Sequence, residues 1–139
     1  MERRILFSTA TLLCGMALSS PVWADDPGPG GGGINIVAEA KTGAQIYATV
    51  CQGCHMADAK GAMGAGRIPP LAGSPVVGSA DYVLTMIIKG RGAMPALGDV
   101  LTDDQILKVT SYVRTHFGNS FKEDPNEQQI KEIKNSDIK

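Results

Sequence analysis

The chain has 139 residues, with 13 basic and 14 acidic side chains and a formal net charge of −1. This length suits a single domain, and so weak a charge gives no reason to expect a nucleic acid as partner. Aromatic residues make up only 5% of the chain, so its own apolar side chains supply a thin core.

The first 24 residues have the pattern of a secretory signal peptide. Arg3 and Arg4 precede an apolar stretch of 14 residues, Ile5 to Leu18, and the short sequence Val22-Trp23-Ala24 provides a cleavage site after Ala24. A bilayer-spanning helix needs about 20 apolar residues, so this stretch is short for a membrane anchor. The pattern therefore predicts export to the periplasm, with an uncleaved anchor as the alternative.

Two other features of this segment suggest different processing. Cys14 follows Leu13, where a lipid-modified cysteine would follow a small residue, so we interpret it as an ordinary hydrophobic residue. The Arg3-Arg4 pair is also compatible with twin-arginine export, but we favour the general secretory route.

The remainder divides by composition into three parts. Residues 25–37 are a Pro/Gly-rich linker, residues 38–118 form the predicted domain, and residues 119–139 are a polar C-terminal tail. Residues 127–139 contain Ile130 and Ile133 among many charges, which indicates a weak helix or a mobile tail.

Three helices are predicted within the domain. The first begins near Lys41-Thr42 and runs to Cys51, and the second covers Asp81 to Lys89. The third follows Thr102, which forms a capping box with Gln105, and it ends near His116 and Gly118.

The sequence Cys51-Gln52-Gly53-Cys54-His55 is the attachment pattern for a c-type haem. In this pattern both thiols bond to the haem covalently, and the adjacent imidazole binds the iron. A zinc site would need about four ligands, and a thioredoxin-like pair would need a βαβ context. Neither is present in the sequence, so we predict one haem c bound through Cys51 and Cys54, with His55 as an iron ligand.

The second axial ligand has several candidates. Met56 adjoins His55, Met63 lies in a glycine-rich loop, and Met86 lies on the apolar face of a helix. Met94 follows the flexible Gly90-Arg91-Gly92 and is stiffened by Pro95, so it is favoured over the others. His116 lies at a helix end, where a cation complements the helix dipole, and a bis-histidine iron is the less favoured alternative.

Several motifs together resemble the small class I cytochromes c. They are Gly43…Tyr47…Cys51-x-x-Cys54-His55, Pro69-Pro70-Leu71-Ala72-Gly73, Gly92-Ala93-Met94-Pro95, Leu101-Thr102-Asp103 and Tyr112-Val113-Arg114. The ending Tyr112 to Asn119 is also similar to that of cytochromes serving quinoprotein (PQQ) alcohol or aldehyde dehydrogenases.

The resemblance implies an all-α fold of three main helices around one covalently bound haem. It further implies that His55 and Met94 bind the iron from opposite faces, and that the first and last helices cross where Gly43 meets Tyr112. The family's proline carbonyl, which accepts from the Nδ1 of the iron-bound histidine, corresponds here to Pro70.

An iron with both axial positions filled has no open site for a substrate. We therefore predict a one-electron carrier that is not itself an enzyme, working as a monomer in the periplasm. The expected donor is a quinoprotein dehydrogenase and the expected acceptor a cytochrome oxidase, with membrane contact only through these partners. The alternatives are a haem protein with an open sixth site, acting as an enzyme or gas binder, and a tethered subunit of a respiratory complex.

Overall fold

The structure is a computed structural model that describes residues 32–64 and 66–136. The predicted signal peptide, residues 1–24, and most of the predicted linker lie outside the described residues. In chain order the elements are α1 (Gly32–Glu39), α2 (Gly43–Ile46), a π-helical turn (Tyr47–Cys51), α3 (Gln52–His55), β1 (Ala62–Met63), β2 (Arg67–Ile68), a 3-10 helix (Pro75–Gly78), α4 (Ala80–Lys89), α5 (Asp103–Thr115) and α6 (Glu127–Asn135).

The helical segment that carries the cysteines begins at a capping box. The Thr42 hydroxyl accepts from the Gln45 backbone N–H at 3.2 Å, and the Gln45 side chain accepts from the Thr42 N–H at 3.1 Å. The N–H of Gln52 then donates to the Tyr47 carbonyl, which widens one turn before the chain continues as α3. Single π-helical turns of this kind are frequent at functional sites. The predicted end at Cys51 is thus too early, since helical structure reaches His55.

The other two predicted helices are confirmed. Helix α4 begins one residue earlier than predicted, and Gly90 ends it with a positive φ of 68°. Helix α5 begins after Thr102, whose capping box with Gln105 is formed as predicted, and His116 follows its last residue. Apart from the two-residue strands of the β1–β2 hairpin, the regular elements of the described residues are helical, so the predicted all-α class is confirmed.

The helix crossing implied by the resemblance is also present. A Cβ placed on Gly43 would lie 2.6 Å from the Cβ of Tyr112 and would also collide with the Lys108 carbonyl oxygen. No side chain larger than a hydrogen atom fits between the two backbones at this point. Helices α2 and α5 therefore pack in contact because residue 43 is a glycine.

Both ends of the described chain are more ordered than their composition indicates. Helix α1 starts at Gly32, inside the predicted linker, and the Gln105 amide donates to the Val37 carbonyl at 2.7 Å and the Ala40 carbonyl at 3.1 Å. Helix α6 packs against α4 in the predicted tail, where Ile130 is 0% exposed. Helix α1 thus spans residue 37 and α6 lies beyond residue 118, while the predicted division of the chain at these residues stays a prediction.

The segment between α5 and α6 is held by a buried arginine. Arg114 is 1% exposed, and its guanidinium donates to the carbonyls of Val77 at 3.2 Å, Gly78 at 2.9 Å and Glu123. Arg114 thereby links the chain after α5 to the 3-10 helix. None of the helices in residues 32–64 and 66–136 combines the length and apolar character needed to cross a bilayer.

Candidate functional site

The two cysteines of the attachment motif lie one helical turn apart. Cys51 ends the π-helical turn and is half-buried, whereas Cys54 lies in α3 and is exposed. Residues three apart on a helix share a face, so both sulfurs are available to one flat group. Burial, reinforced by the neighbouring Cys54, raises the pKa of the Cys51 thiol to about 11. Redox-active Cys-x-x-Cys pairs need a lowered thiol pKa, so this environment does not suit the thioredoxin-like alternative.

His55 is the last residue of α3 and is 9% exposed. Burial lowers the pKa of its imidazole, which favours the neutral form that binds metals. Its Nδ1 is buried without a hydrogen-bond partner in the part of the chain that the structure describes. A buried nitrogen without a hydrogen-bond partner is costly in free energy. Metal-bound histidines usually donate their second N–H to an acceptor, so this imidazole suits a metal ligand whose Nδ1 pairs with a nearby carbonyl.

The acceptor nearest to this role is the carbonyl of Pro69. That carbonyl raises the pKa of His55 and so opposes the larger effect of burial. Pro70, predicted from the resemblance, has an exposed side chain that lines a surface hollow. The assignment of Pro70 as the acceptor therefore stays a prediction, and the carbonyl of Pro69 is the neighbouring candidate.

Met94 lies in a loop that the backbone holds tightly. Arg91 and Met94 exchange two backbone hydrogen bonds, of 2.9 and 3.1 Å, and the Leu97 N–H donates to the Ile87 carbonyl of α4 at 2.8 Å. The Met94 side chain is half-buried against the hydrophobic core. By contrast, Met63 is 82% exposed, and Met86 is half-buried within α4. Among the described methionines, Met94 therefore combines a fixed loop with partial burial in the manner expected of an axial ligand.

Two adjoining hollows, each of about 250 Å³, lie along the β1–β2 hairpin. Both are lined by Met63, Arg67 and Ile68; one extends to Lys60 and Pro70, and the other reaches Ala93 beside Met94. They therefore connect the chain next to Pro69 with the chain next to Met94. The charged side chains that line them, Lys60 and Arg67, are basic, which is compatible with the propionates of a haem.

The remaining alternatives find less support. Within residues 32–64 and 66–136, no three His, Cys, Asp or Glu side chains come together as a metal site would require. His116 stacks on Tyr112 with ring centroids 4.1 Å apart, and its Nδ1 lies 3.0 Å from the Tyr112 carbonyl oxygen. His116 thus lies at the end of α5, as predicted.

One contact of the site has no counterpart in the sequence analysis. The hydroxyl of Tyr47 donates to the carbonyl of Met56 at 2.8 Å, directly after His55. From the sequence, Tyr47 was assigned no role beyond its place in the family motif. A buried tyrosine needs a partner for its hydroxyl, and that requirement is the only signal in the sequence that points to this bond.

Comparison with known proteins gives one matching family. The family model described as "Cytochrome C oxidase, cbb3-type, subunit III" matches residues 38–113.

Relatives of two kinds are also similar. The fructose dehydrogenase cytochrome subunit of Gluconobacter japonicus is 34% identical over 93 residues, which cover 56% of this chain and 19% of that protein. The cytochrome c subunit of the quinone alcohol dehydrogenase of Gluconobacter oxydans is 30% identical, over 63% of this chain and 20% of that protein. Cytochrome c6 of Gloeothece citriformis is 29% identical, over 75% of this chain and 84% of that protein. The chain thus spans about a fifth of each dehydrogenase subunit and most of the cytochrome c6.

Proposed function

This chain belongs to the c-type cytochromes, in the family described as cytochrome c oxidase cbb3-type subunit III, and we propose that it carries single electrons from a quinoprotein dehydrogenase towards a terminal oxidase. It binds haem c covalently, with Cys51 and Cys54 at the attachment spacing. The observation that carries the proposal is the buried His55 at the end of the helical turn that presents both cysteines.

We assign His55 and Met94 as the two axial ligands. The haem supplies a one-electron iron couple, while the chain determines what else can reach the iron. With a nitrogen and a thioether in place no coordination position is open, so we expect no catalysis by the protein itself. A thioether ligand raises the reduction potential, which suits an acceptor of electrons from a dehydrogenase.

The assignment of partners draws on the relatives. Two of them are named as cytochrome subunits, one of a fructose dehydrogenase and one of a quinone alcohol dehydrogenase. Their similarity supports a redox protein as partner and, more specifically, a quinoprotein dehydrogenase as donor. The predicted signal peptide, residues 1–24, supports a periplasmic location. The direction of transfer towards an oxidase follows from the expected rise in potential.

Electron exchange is expected at the edge of the site where Cys54 is exposed. Met56, next to His55, is 38% exposed, and the hairpin adds the more exposed Met63. Lys60 and Arg67 lie at the hollows beside Met63. Transient redox encounters use small interfaces, so a local patch that combines apolar and basic groups suits the role.

The direct test is reduction by a purified quinoprotein dehydrogenase with its substrate, followed in stopped flow by the visible spectrum of the haem. We expect second-order reduction that slows as ionic strength rises, since basic side chains border the site. Membranes that contain a terminal oxidase should then reoxidise the reduced protein. The control is the substrate without the dehydrogenase. If several such dehydrogenases reduce the protein no faster than this control does, the assigned donor is contradicted.

A second candidate, the tethered subunit of a respiratory complex, is favoured by the name of the family and by the subunit names of two relatives. It predicts that the protein co-purifies with a large membrane complex and stays bound at high salt. A carrier should instead elute as a free monomer in size-exclusion chromatography under the same conditions.

A further inference from the structure

We propose that the Tyr47 hydroxyl is a positioning group for His55, acting through the turn that follows it. This inference depends on the proposed function, in which His55 binds the haem iron. Tyr47 is 2% exposed and lies in the π-helical turn before Cys51, and its hydroxyl donates to the Met56 carbonyl at 2.8 Å. The bond therefore joins the start of the attachment motif to the residue immediately after its end.

The backbone at Met56 needs such a restraint. Met56 has a φ of 65°, in the left-handed region that residues with a side chain seldom adopt. Its carbonyl also accepts from the Ala59 N–H at 3.2 Å, and Ala59 has a φ of 57°. Two unfavourable conformations within four residues persist only where surrounding contacts hold them, and the Tyr47 hydroxyl supplies one of those contacts.

The turn from Met56 to Ala59 also holds the segment around Pro69. The Ala59 carbonyl accepts from the N–H groups of Leu71 at 2.8 Å and Ala72 at 3.0 Å, so it fixes the chain just after Pro69. The Gly61 N–H donates to the His55 carbonyl at 3.1 Å. A Cβ on Gly61 would lie 2.9 Å from the Pro69 carbonyl oxygen, so the two segments are in contact there.

These contacts form one continuous connection from Tyr47 through Met56 and Ala59 to Leu71, two residues after Pro69. Gly61, which lies against the Pro69 carbonyl, donates its N–H to the His55 carbonyl, so the connection reaches the backbone of the assigned iron ligand. In the proposed haem-bound site the Pro69 carbonyl would accept from the His55 ring. A carbonyl that accepts from a metal-bound histidine makes the ring a stronger electron donor and so stabilises the oxidised metal. Loosening the connection therefore affects the iron and not only the fold.

Tyr47 is suited to this position because its ring packs against other aromatic rings and its hydroxyl keeps its proton. The ring centroid lies 4.8 Å from that of Phe117 and 5.9 Å from that of Tyr112. Burial raises the pKa of Tyr47 to about 12, so the hydroxyl remains a donor across the physiological range. The hydroxyl of Tyr112, in the same aromatic cluster, has no hydrogen bond among the described residues, although its ring packs similarly.

The test compares Tyr47→Phe with Tyr112→Phe in the haem-loaded full chain. Each substitution removes one hydroxyl and keeps its ring, so both variants should fold. For Tyr47→Phe we expect a more positive reduction potential by spectroelectrochemical titration. Hydrogen exchange at the Ala59 and Leu71 amides should also accelerate roughly tenfold, as loss of one hydrogen bond predicts. For Tyr112→Phe both quantities should match those of the unmodified protein.

Faster exchange with an unchanged potential would show that the bond is only structural and would overturn the inference. An equal change of potential in both variants would overturn it too, because the Tyr112 hydroxyl lies outside the connection. Failure of the proposed function is recognised separately. The unmodified protein would then lack covalent haem or the thioether-to-iron band, whatever residue stands at position 47.

Discussion

Two parts of the molecule are stabilised differently. We call them the helical side, formed by α2, α4, α5 and α6, and the ligand side, formed by the loops of residues 56–73 and 90–98 next to His55 and around Met94. Helices α2, α4, α5 and α6 bury most of the core, including Ile46, Leu84, Ile106 and Ile130 at 0% exposure. Between residues 56 and 73, Ala59 is the one buried residue among those described, and none of residues 90–98 is buried. The helical side closes on its own apolar surface, whereas the ligand side has little apolar burial of its own.

The ligand side relies instead on backbone geometry. Among its described residues, those with positive φ are Met56, Ala59, Gly61, Gly73, Gly90 and Gly92. Backbone hydrogen bonds hold such turns, but they contribute less net stability than apolar burial does. A bound porphyrin would supply the missing apolar contact, so the two sides should respond very differently when the haem is absent.

The largest effect should follow from preventing haem attachment. In Cys51→Ser/Cys54→Ser we expect amide protection to disappear in residues 56–73 and 90–98 and to persist, though weakened, in α5, because only the helical side retains its own core. Hydrogen exchange with mass spectrometry measures this. The unmodified sequence, produced without haem, is the matched control and should behave alike. Equal loss of amide protection in α5 and in residues 56–73 and 90–98 would contradict the proposed difference in stabilisation.

On the helical side, Arg114→Met should cost about 3 kcal/mol in the free energy of unfolding, since it leaves buried carbonyls without a donor. Arg114 donates to Val77, Gly78 and Glu123, so the segment leading to α6 should loosen as well. Urea unfolding of the haem-loaded protein provides the measurement. The exposed Lys122→Met removes a positive charge without removing a buried donor, and it should change stability by less than about 0.5 kcal/mol.

The helix crossing is tested by Gly43→Ala. The added Cβ would lie 2.6 Å from the Cβ of Tyr112, and we expect a loss of about 2 kcal/mol despite the better helix propensity of alanine. Gly53 is the matched control, because a Cβ there meets nothing within 4 Å. Thermal unfolding of Gly53→Ala should show no loss of stability. A neutral Gly43→Ala would mean that the two helices are not in contact.

The smallest effect concerns pH. Burial raises the pKa of Tyr47 from 10.0 to about 12, so between these values the unfolded chain releases a proton that the folded chain keeps. The free energy of unfolding should therefore be unaffected below pH 10 and should fall as the pH rises towards 12. In Tyr47→Phe this contribution to the fall is absent. Denaturant titrations at several alkaline pH values measure the difference in slope, and equal slopes would contradict the burial of the hydroxyl.

Local signals predicted most of the helical side. The Thr102 and Gln105 side chains marked the start of α5, whereas the crossing of Gly43 with Tyr112 was implied by the family resemblance. A similar capping box at Asn126 and Gln129 precedes α6, but the charges that follow left a weak helix and a mobile tail as alternatives. Its burial depends on α4, where Asp81 accepts from Gln129 at 2.7 Å, and such a distant contact leaves no pattern in the local sequence.

On the ligand side the sequence predicted residue types better than their geometry. The motif identified Cys51, Cys54 and His55 directly, because the spacing itself carries the chemistry. The acceptor for the His55 ring stays open between the carbonyls of Pro69 and Pro70, and the hydroxyl of Tyr47 was not recognised. Both depend on the path of the backbone through left-handed turns, which residues such as Met56 and Ala59 do not indicate by composition.

The central claim is that a haem c is closed by His55 on one face and Met94 on the other. It is tested most directly by the visible spectrum of the haem protein, oxidised and reduced, with and without Met94→Ala. We expect a thioether-to-iron band in the ferric protein and no rapid binding of CO when reduced. In Met94→Ala the band should vanish, CO should bind rapidly, and the potential should fall by a sizeable part of the roughly 0.8 V that axial ligands span. Rapid CO binding by the unmodified protein, or a variant spectrum identical to it, would contradict the account.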